Sequence, residues 1–364
     1  MITYPFLGII GQNEAILAII LNLVDSSIGG VLLKGTKGTG KSTIVYGIPQ
    51  VCPEIEINNN CLYNCNPNDL ENLCFDCKNS TKKVIKHKKI QVVNIPMSIS
   101  EENLFGKINI EYLMKNGESK FIPGLLAQAN RNILYIDEVN LLPDHITDSL
   151  LDVAASGTNR IEREGFSISH KCNFLLIGTM NQEEGELRPQ ILDRFSLSVF
   201  TNTVLDMENR KEIIRRNLDF ENNPNLFNDK YKEYNEHMIF TIKQAREILP
   251  KVVLNENDVD HILKFLIENK IDGHRSEIVI IKAAKAYAAF ELKEKVELKH
   301  LQTAMKLALL HRTREGGLKK PINSEDIDNW FTNNKFGDKF ELFNQQSSNS
   351  ISLLEGGLLT PSKK

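Results

Sequence analysis

The sequence of 364 residues predicts an α/β protein with a mostly parallel sheet covered by helices on both faces, followed by an all-helical part. Two observations predict this fold class. Short apolar strand segments alternate with helical segments over the first 200 residues, and every regular segment after about residue 236 has helical spacing. Because parallel strands need crossover helices, the alternation is typical of a doubly covered sheet. Ligands of such sheets bind beyond the carboxyl ends of the strands.

The elements of the α/β part follow from local patterns. The first helix covers residues 13–25, where apolar residues recur on one face and Asn13 can cap the start. Residues 146–154 predict a second helix. Residues 161–169 alternate around Gly165 and predict a hairpin. The apolar runs that predict strands are 31–33, 90–95, 133–136 and 174–177, and residues 121–130 predict a turn into a short helix.

Composition and hydrophobic pattern divide the chain into four parts. We expect an α/β domain over 1–205 with a cysteine-rich insertion at about 52–89, and a charged, Asn-rich linker with some helix over 206–235. A helical domain over 236–318 and a polar, partly disordered tail over 319–364 follow. The predicted helices of the helical domain are 256–269, 274–293 and 297–312.

Composition excludes several classes of protein. Lys plus Arg is 44 and Asp plus Glu is 47, so the formal net charge of −3 argues against a protein that coats nucleic acid. The longest apolar run, Ala15–Leu21, has seven residues, whereas a membrane-spanning helix needs about 20. The first residues do not have the pattern of a secretory signal. We therefore expect a cytoplasmic protein with no membrane and no nucleic-acid partner.

The strongest motif is Gly35-x4-Gly40-Lys41-Ser42, the complete phosphate-loop pattern, placed between an apolar strand and a helix. Glycines such as Gly35, Gly38 and Gly40 let backbone N–H groups wrap phosphates. Lys41 neutralises the β- and γ-phosphates, and the hydroxyl of Ser42 is a ligand for Mg²⁺. The alternative is a chance turn rich in glycine and lysine.

An acidic pair follows the apolar strand 133–136. Asp137 would hold the Mg²⁺ through water, and Glu138 would polarise the water that attacks the γ-phosphate. The alternative is an ordinary strand followed by an acidic helix cap. Together with a phosphate loop, the pair favours ATP hydrolysis over phosphoryl transfer to a metabolite.

Single polar residues complete the candidate site. Asn181 follows a buried strand and could position the lytic water, although it could also be a turn former. Arg194 could serve a neighbouring subunit as an arginine finger, with a surface salt bridge as the alternative. Arg188 is open to the same two interpretations. Arg275, at the start of an Ala-rich helix, could reach the γ-phosphate, or it could be a solvated helix-start charge.

Taken in order, these motifs resemble the ATPase subunit (subunit I) of magnesium chelatase, an AAA+ family. The resemblance rests on the phosphate loop, the two motifs from Ile133 to Leu142 and from Ile161 to His170, and the motif Asn181–Phe195. The opening segment Tyr4–Gln12 and the segment from Ser27 to Leu33 are also similar to that family. The similarity covers about residues 3–316.

The resemblance implies a three-layer AAA+ P-loop domain with a helical lid, which uses ATP and Mg²⁺. It implies that Gly35–Ser42 is the Walker A motif and that Asp137 with Glu138 is the Walker B motif. Asn181 then matches sensor 1, Arg194 the arginine finger and Arg275 the sensor-2 arginine.

The same resemblance implies partners and a reaction. Such subunits form hexameric rings, pair with an AAA+ subunit that carries an integrin-like domain, and act on a large subunit that holds the tetrapyrrole. ATP hydrolysis then drives insertion of magnesium, or of cobalt in a cobaltochelatase-type member. One alternative is a general AAA+ remodeller that acts with an integrin-domain partner on another enzyme. A third hypothesis is a metal- or redox-sensing module that binds ATP and hydrolyses it slowly.

Two features depart from the family pattern. Cys61, Cys65, Cys74 and Cys77 have a spacing that suits tetrahedral Zn²⁺ or an iron–sulfur cluster, with dithiol–disulfide switching and free thiols as alternatives. His87 is a weaker candidate ligand. In the tail, Trp330 and Phe331 could dock onto a partner or pack against their own domain.

Overall fold

The computed structural model describes residues 2–80, 84–117, 121–163, 166–185 and 187–333. Its contacts group into two compact units. The first unit is built from the described residues of Met1–Val51 and Asn181–Lys364, and the second from those of Cys52–Met180. This division does not test the expected domain boundaries at residues 205, 235 and 318, which stay predictions.

Strands and helices alternate along the described residues as far as residue 200, and helices follow. The strands are β1 Gly30–Lys34, β2 Ile55–Asn58, β3 Ile85–Lys88, β4 Val92–Ile95, β5 Gly106–Ile108, β6 Phe121–Pro123, β7 Ile133–Ile136, β8 Thr158–Arg163, β9 Phe166–Lys171, β10 Leu175–Met180 and β11 Phe195–Phe200. The α-helices are α1 Asn13–Val24, α2 Lys41–Gly47, α3 Phe75–Asn79, α4 Glu101–Phe105, α5 Ile110–Asn116, α6 Leu125–Ala129, α7 Asp144–Ser156, α8 Pro189–Arg194, α9 Met207–Asn222, α10 Pro224–Asp229, α11 Lys232–Ile248, α12 Glu256–Glu268, α13 Arg275–Phe290, α14 Leu298–Leu309 and α15 Ser324–Asn333.

The core of the first unit forms around β1. This strand pairs in parallel with β11, from Val31 opposite Leu197 to Lys34 opposite Phe200, and all five of its residues are buried. Helix α1 is buried from Ala15 to Val24 and packs against β1, β11, α11 and α13. Each leucine or isoleucine buried in this way contributes about 1.5–3 kcal/mol.

The helical part of the first unit is centred on α13 and α14. The buried side of α13 consists largely of alanines, which are small enough to let α14 approach closely along its length. Helix α14 contributes Leu301, Met305 and Leu309 to the same core. Arg275, the first residue of α13, is therefore carried by a helix that is firmly packed.

In the second unit, β7 lies between two parallel neighbours. Ile133 of β7 stands opposite Val92 of β4 on one side and Leu175 of β10 on the other. All four residues of β7 are buried, as expected for a strand paired on both sides under helices. The end of β7 is thus a fixed position from which polar residues can project.

The structure confirms the α/β fold class and the helical part that follows it. Three of the four expected strands have bounds that differ by one to three residues, and two of them differ most. The strand expected at 90–95 begins at Val92, and the strand expected at 174–177 runs on to Met180. Pairing continues through Gly178 opposite Ile136, so main-chain hydrogen bonds extend the strand beyond the apolar run that predicted it.

The expected insertion and the expected linker with some helix both contain regular structure. The insertion 52–89 holds the antiparallel pair β2–β3, with Ile55 opposite Lys88, and the short helix α3. The segment 206–235 consists mainly of α9, α10 and the start of α11. Helix α9 has no buried residue, and the ion pairs of Glu212 with Arg215 and Arg216 support it along its surface.

The expected hairpin around residues 161–169 is formed by β8 and β9, with Ile161 opposite Ile168, although its turn at 164–165 lies outside the described residues. In the tail, α15 buries Phe331, and the ring of Trp330 contacts Phe265 with centroids 5.3 Å apart. This aromatic pair packs against its own chain. The rest of the tail that was expected to be partly disordered, residues 334–364, lies outside the described residues.

Among the described residues, no helix has the length and apolar character that crossing a membrane requires.

Candidate functional site

The loop between β1 and α2 has the backbone that a phosphate loop needs. Gly38 and Gly40 have φ of +83° and +82°, and a Cβ placed on either would meet no atom of the described residues within 4 Å. These positive angles strain any other L-residue. Gly35 is required for a different reason, because a Cβ there would lie 2.3 Å from the carbonyl oxygen of Thr201. The loop therefore has open space beside Gly38 and Gly40 and is closely packed at Gly35.

Lys41 and Ser42 open helix α2. The ammonium group of Lys41 donates hydrogen bonds to the carbonyl oxygens of Gly35, over 2.6 Å, and of Thr36, over 2.7 Å. It therefore lies across the loop, where a cation would neutralise phosphate oxygens. The sequence analysis assigned this role to Lys41 and the role of Mg²⁺ ligand to Ser42, and both assignments stay predictions.

Residues outside the motif hold the loop in place, and the sequence analysis missed them. The hydroxyls of Thr39 and Thr201 are hydrogen-bonded over 3.0 Å. The side chain of Gln12 donates to the carbonyl oxygen of Asn202 over 2.9 Å. Lys37 forms an ion pair with Glu184. Thr201 and Asn202 follow β11, the partner of β1, and pairing alone would have suggested that they lie beside the loop.

A cavity of about 500 Å³ opens onto the phosphate loop. Its walls come from the N-terminal segment, the loop itself, the residues after β11 and helix α9. The lining residues are Tyr4, Gly8, Ile9, Ile10, Gln12, Gly38, Thr39, Gly40, Thr43, Asn202, Thr203, Val204, Arg210, Ile213, Ile214 and Asn217. Mixed apolar and polar walls of this size suit a purine nucleoside.

Helix α9 contributes to this cavity from a segment that the sequence analysis treated as a linker. Its four lining residues, Arg210, Ile213, Ile214 and Asn217, have the spacing i, i+3, i+4 and i+7, so they share one face of the helix. This spacing of residues along one face of α9 was the sequence signal that could have identified the helix as a wall of the cavity.

The acidic pair lies at the end of β7. One carboxylate oxygen of Asp137, Oδ1, accepts hydrogen bonds from the hydroxyls of Tyr135, over 2.7 Å, and Thr179, over 2.6 Å. The backbone N–H of Glu138 donates to the same Thr179 hydroxyl over 3.0 Å. A single threonine of β10 thus fixes both members of the pair, and sequence reasoning did not identify it or Tyr135.

Glu138 has a backbone φ of +56°. This left-handed conformation is unfavourable for a residue with a Cβ. The structure around β7 and β10 holds the residue there, and such strain is concentrated at functional sites.

Asn181 follows β10 directly and is almost fully buried. Its side-chain oxygen accepts a hydrogen bond from the backbone N–H of Glu183 over 3.3 Å. The amide is thereby oriented by the short 3-10 turn Gln182–Glu184. The orientation is compatible with the turn-forming role and with the water-positioning role that the sequence analysis considered.

The structure brings Arg194 and Arg275 together. Arg194 ends α8, Arg275 begins α13, and the guanidinium of Arg275 donates to the carbonyl oxygen of Arg194 over 3.1 Å. Arg188 lies exposed ahead of α8, and its role stays a prediction.

Residues that follow helix α14 anchor the Leu-Asp-Arg-Phe motif that contains Arg194. Arg312 is buried and forms an ion pair with Asp193, whose backbone oxygen it also contacts. Burial lowers the pKa of the Arg312 guanidinium, and the neighbouring Asp193 carboxylate opposes that shift. His311 is hydrogen-bonded to the carbonyl oxygen of Phe195 over 2.8 Å, and burial holds its pKa well below the usual value.

The four cysteines of the insertion converge. The sulfur atoms of Cys61, Cys65, Cys74 and Cys77 all lie within 4.8 Å of one another, and all four side chains are free thiols. The exposed His87 does not belong to this group.

Comparisons with known proteins agree with this geometry. The family model of the AAA domain (dynein-related subfamily) matches residues 79–195, and that of the AAA lid domain matches residues 262–329. The magnesium-chelatase subunit ChlI homolog of Methanocaldococcus jannaschii is 46% identical over 89% of this chain and 90% of that protein. The magnesium-chelatase subunit ChlI of Synechocystis sp. is 41% identical over 89% of this chain and 91% of that protein.

Among solved structures, the complex between subunits BchI and BchD of magnesium chelatase contains a chain with 38% identity and a TM-score of 0.53, over 90% of this chain and 99% of that one. A putative ATPase from Cytophaga hutchinsonii, with 17% identity and a TM-score of 0.56 over 88% of this chain and 86% of that one, shares the fold. With relatives above 40% identity along nearly the whole length, this chain belongs to the magnesium-chelatase ATPase subunit I family of AAA+ proteins.

Proposed function

We propose that the chain is the ATP-hydrolysing motor subunit of a metal chelatase, whose turnover drives magnesium insertion into a tetrapyrrole on a separate large subunit. The observation that carries the proposal is the pair Asp137 and Glu138, held at the end of a buried strand by one threonine hydroxyl. A pair fixed in this way can bind hydrated Mg²⁺ and activate water, which hydrolysis requires and simple nucleotide binding does not.

The residues of the phosphate loop fit ATP with Mg²⁺. The open space above Gly38 and Gly40 can receive phosphate oxygens. The ammonium of Lys41 already bonds to two loop carbonyls, and phosphate oxygens are stronger acceptors than these. Ser42 and Asp137 would hold the Mg²⁺, which neutralises phosphate charge when it is bound.

Three further side chains act on the reaction. The carboxylate of Glu138 accepts a proton from the attacking water. The amide of buried Asn181 positions that water. Arg194 stabilises the charge that develops on the transferred phosphoryl group, as an arginine finger does.

Arg275 serves the same nucleotide as Arg194. Support comes from the hydrogen bond between the Arg275 guanidinium and the carbonyl oxygen of Arg194, which brings the two residues together in space. Because Arg194 belongs to the motif expected to act on a neighbouring subunit, the pair would act there together.

We further infer a hexameric ring that works with an integrin-domain AAA+ subunit and a large chelatase subunit. Support comes from the solved relative BchI, whose structure is of a complex with BchD. Insertion of cobalt is the alternative specialisation, because the ATP chemistry of the motor would be the same for either metal. The names of the relatives do not favour a general remodeller acting on another enzyme.

We also propose that the cysteine tetrad of the insertion binds a metal, as zinc or as an iron–sulfur cluster. The convergence of four sulfur atoms supports this proposal over a set of unrelated thiols. Clustered cysteines that bind a metal are typical of a reducing compartment, which supports a cytoplasmic location.

The primary test is the substitution Glu138→Gln. The variant should bind ATP with the affinity of the native chain and lose turnover by about 10³-fold or more, because the amide cannot accept the proton. Glu102→Gln, an exposed substitution in α4, is the matched control and should leave turnover unchanged. Native turnover in Glu138→Gln would overturn the assignment of the base.

The same variant identifies the proteins on which the ring acts. With ATP, Glu138→Gln should trap the assembled ring, which can be recovered from the native cell and its partners identified by mass spectrometry. Recovery of a large subunit together with an integrin-domain AAA+ protein supports the chelatase, and that large subunit can then be tested with magnesium and cobalt. Recovery of other enzymes alone would overturn the chelatase role and leave the ATP site standing.

A further inference from the structure

The cysteine tetrad forms a compact cage in the insertion. Cys61 and Cys65 lie in the loop after β2, whereas Cys74 caps helix α3 and Cys77 lies within it. The four sulfur atoms lie within 4.8 Å of one another, and the sulfurs of Cys61 and Cys74 are 3.8 Å apart. The cage is therefore narrow enough for all four thiolates to reach one point.

This width distinguishes between a single ion and a cluster. A zinc–sulfur bond of about 2.3 Å in a regular tetrahedron gives an edge of about 3.8 Å between sulfurs. The separation between Cys61 and Cys74 has this length. In an iron–sulfur cluster the four cysteines are divided among two or four iron atoms, so cysteine sulfurs on different irons stand farther apart by the added distance between metals, and not all four can lie this close together. The observed span favours one ion.

The surroundings of the cage suit thiolates. The backbone N–H of Cys65 donates to the sulfur of Cys61 over 3.4 Å, and that of Cys74 donates to the sulfur of Cys65 over 3.2 Å. Such donors stabilise the negative charge of metal-bound sulfur and orient it. Leu73 and Tyr63 pack in one cluster with the four cysteines, of which Cys65 and Cys77 are buried.

We propose that the four cysteines bind one zinc ion in a closed tetrahedral site with a structural role. This inference rests on the proposal above that the tetrad binds a metal, and it names the ion and the number of metal atoms. On binding, Zn²⁺ replaces the thiol protons, which are released to solvent, and no electron is transferred.

The structural role follows from what the loop of the tetrad contacts. Asn64, between the first two cysteines, is buried and donates to the carbonyl oxygens of Gln128 and Asn130 over 2.9 and 3.2 Å. Asn130 donates in return to the carbonyl oxygen of Tyr63 over 2.7 Å. The guanidinium of Arg131 donates to the carbonyl oxygen of Glu56.

These bonds join the insertion to the turn that leads into β7. The turn sets the start of the strand whose other end carries the acidic pair. Zinc would fix the loop 61–65 and through it the turn 128–132. The zinc is therefore expected to stabilise the second unit.

The test begins with the full chain purified without oxygen and analysed for zinc, iron and acid-labile sulfide. The expected result is one zinc per chain and no sulfide, with Co²⁺ substitution giving the thiolate charge-transfer absorption of a tetrahedral site. Iron with sulfide would overturn the single-ion site while leaving the metal-binding proposal intact. Iron without sulfide would overturn zinc as the ion. Four titratable thiols with no metal would overturn both proposals.

Variants assign the ligands. Cys77→Ser should lose the zinc, whereas Cys172→Ser, the control at a buried cysteine outside the cage, should keep one zinc per chain. Retention of zinc in Cys77→Ser would overturn the ligand assignment.

The structural role has its own readout in the native sequence. On removal of zinc by a chelator, amide hydrogen exchange in residues 61–65 and 128–132 should accelerate by about tenfold or more. Unchanged exchange in both segments would overturn the structural role. This measurement does not depend on whether any variant folds.

Discussion

The guanidinium of Arg275 donates a hydrogen bond to the backbone carbonyl oxygen of Arg194 over 3.1 Å. Arg275 begins the Ala-rich helix α13, and Arg194 ends the short helix α8. The two bonded residues are 81 positions apart in the sequence. The buried Arg312 holds the preceding Asp193 by an ion pair. Two helices of the helical part thus determine where Arg194 stands, and movement of these helices would move the arginine.

This relationship predicts that the two arginines act as one unit. Arg194→Ala and Arg275→Ala should each lower kcat by about 10³-fold, the scale of an arginine finger. The double variant should be little worse than the more damaged single one, because residues that act together are not additive. Steady-state ATPase assays measure this, with Arg215→Ala, on the exposed side of α9, as a control near native turnover. Multiplied losses in the double variant would show that the arginines act separately.

Mixed rings test where the pair acts. Arg194→Ala subunits should regain turnover when mixed with Glu138→Gln subunits, since some sites then combine an intact base with an intact arginine. Arg275→Ala should behave in the same way if it serves the same nucleotide as Arg194. Failure of both mixtures to recover activity would contradict a site shared between subunits.

The wall of the nucleotide cavity gives a second prediction. Gly11 has φ of +74°, and a Cβ there would lie 2.4 Å from Cγ2 of Val204, which lines the cavity. Gly11→Ala should therefore displace Val204 and weaken ATP binding by about tenfold, or about 1.4 kcal/mol. Isothermal titration measures the change in Kd.

Gly117→Ala is the control variant for the effect of backbone strain alone. Gly117 has φ of +66°, but a Cβ there meets no atom of the described part of the chain within 4 Å. This variant should carry a similar conformational cost, about 1 kcal/mol, with unchanged ATP affinity. An equal loss of affinity in both variants would show that the cavity wall is not responsible.

Motifs with a fixed spacing could be predicted from the sequence, and residues that act through pairing could not. The phosphate loop, the acidic pair and the four clustered cysteines are all contiguous or nearly so. Tyr135 and Thr179 act on Asp137 from the same strand and from its neighbour. Such contacts depend on strand register, which hydrophobic patterning does not specify for a fully buried run.

Helix α9 shows a second limit. Its charged surface and lack of buried residues hide its role, because amphipathic patterning identifies a face that packs on a core. Here the apolar stripe with Ile213 and Ile214 faces a cavity instead. The anchoring residues His311 and Arg312 were also missed, since their partners lie more than 100 residues away.

A third prediction concerns acid stability. Burial raises the pKa of Glu291, but hydrogen bonds from His300 and Lys299 outweigh it and lower the pKa to about 2, from 4.5. A carboxyl group with a depressed pKa in the folded state stabilises the fold above pH 4.5 and loses this contribution as the pH falls toward 2. The contribution is at most about 3 kcal/mol.

Denaturant unfolding of the native chain and of Glu291→Gln at a series of pH values measures the contribution of the Glu291 carboxylate to the free energy of unfolding. The difference in unfolding free energy should shrink as the pH falls from 6 to about 3. Glu294→Gln, an exposed change in the same turn, should follow the native chain at every pH. A difference between the native chain and Glu291→Gln that is constant with pH would contradict the ionic origin of the effect.

The fourth prediction isolates the hydroxyl of Thr179. It donates to Oδ1 of Asp137 over 2.6 Å and accepts from the backbone N–H of Glu138 over 3.0 Å. Thr179→Val keeps the shape of the side chain and removes both bonds. Each hydrogen bond to a charged group contributes about 1.5–3 kcal/mol, so kcat should fall by about 10–100-fold.

The conservative variant separates positioning from packing. Thr179→Ser keeps the hydroxyl and should retain kcat within about threefold, while Thr179→Val should lose kcat with little change in the Kd for ATP. A purely structural role of Thr179 would instead lower thermal stability in both variants and leave kcat of the folded fraction unchanged. Because Glu138 is held at a φ of +56°, loss of the acceptor also frees its backbone from a strained conformation. Both effects would displace the carboxylate that activates water, and the comparison of serine with valine measures how much turnover depends on that placement.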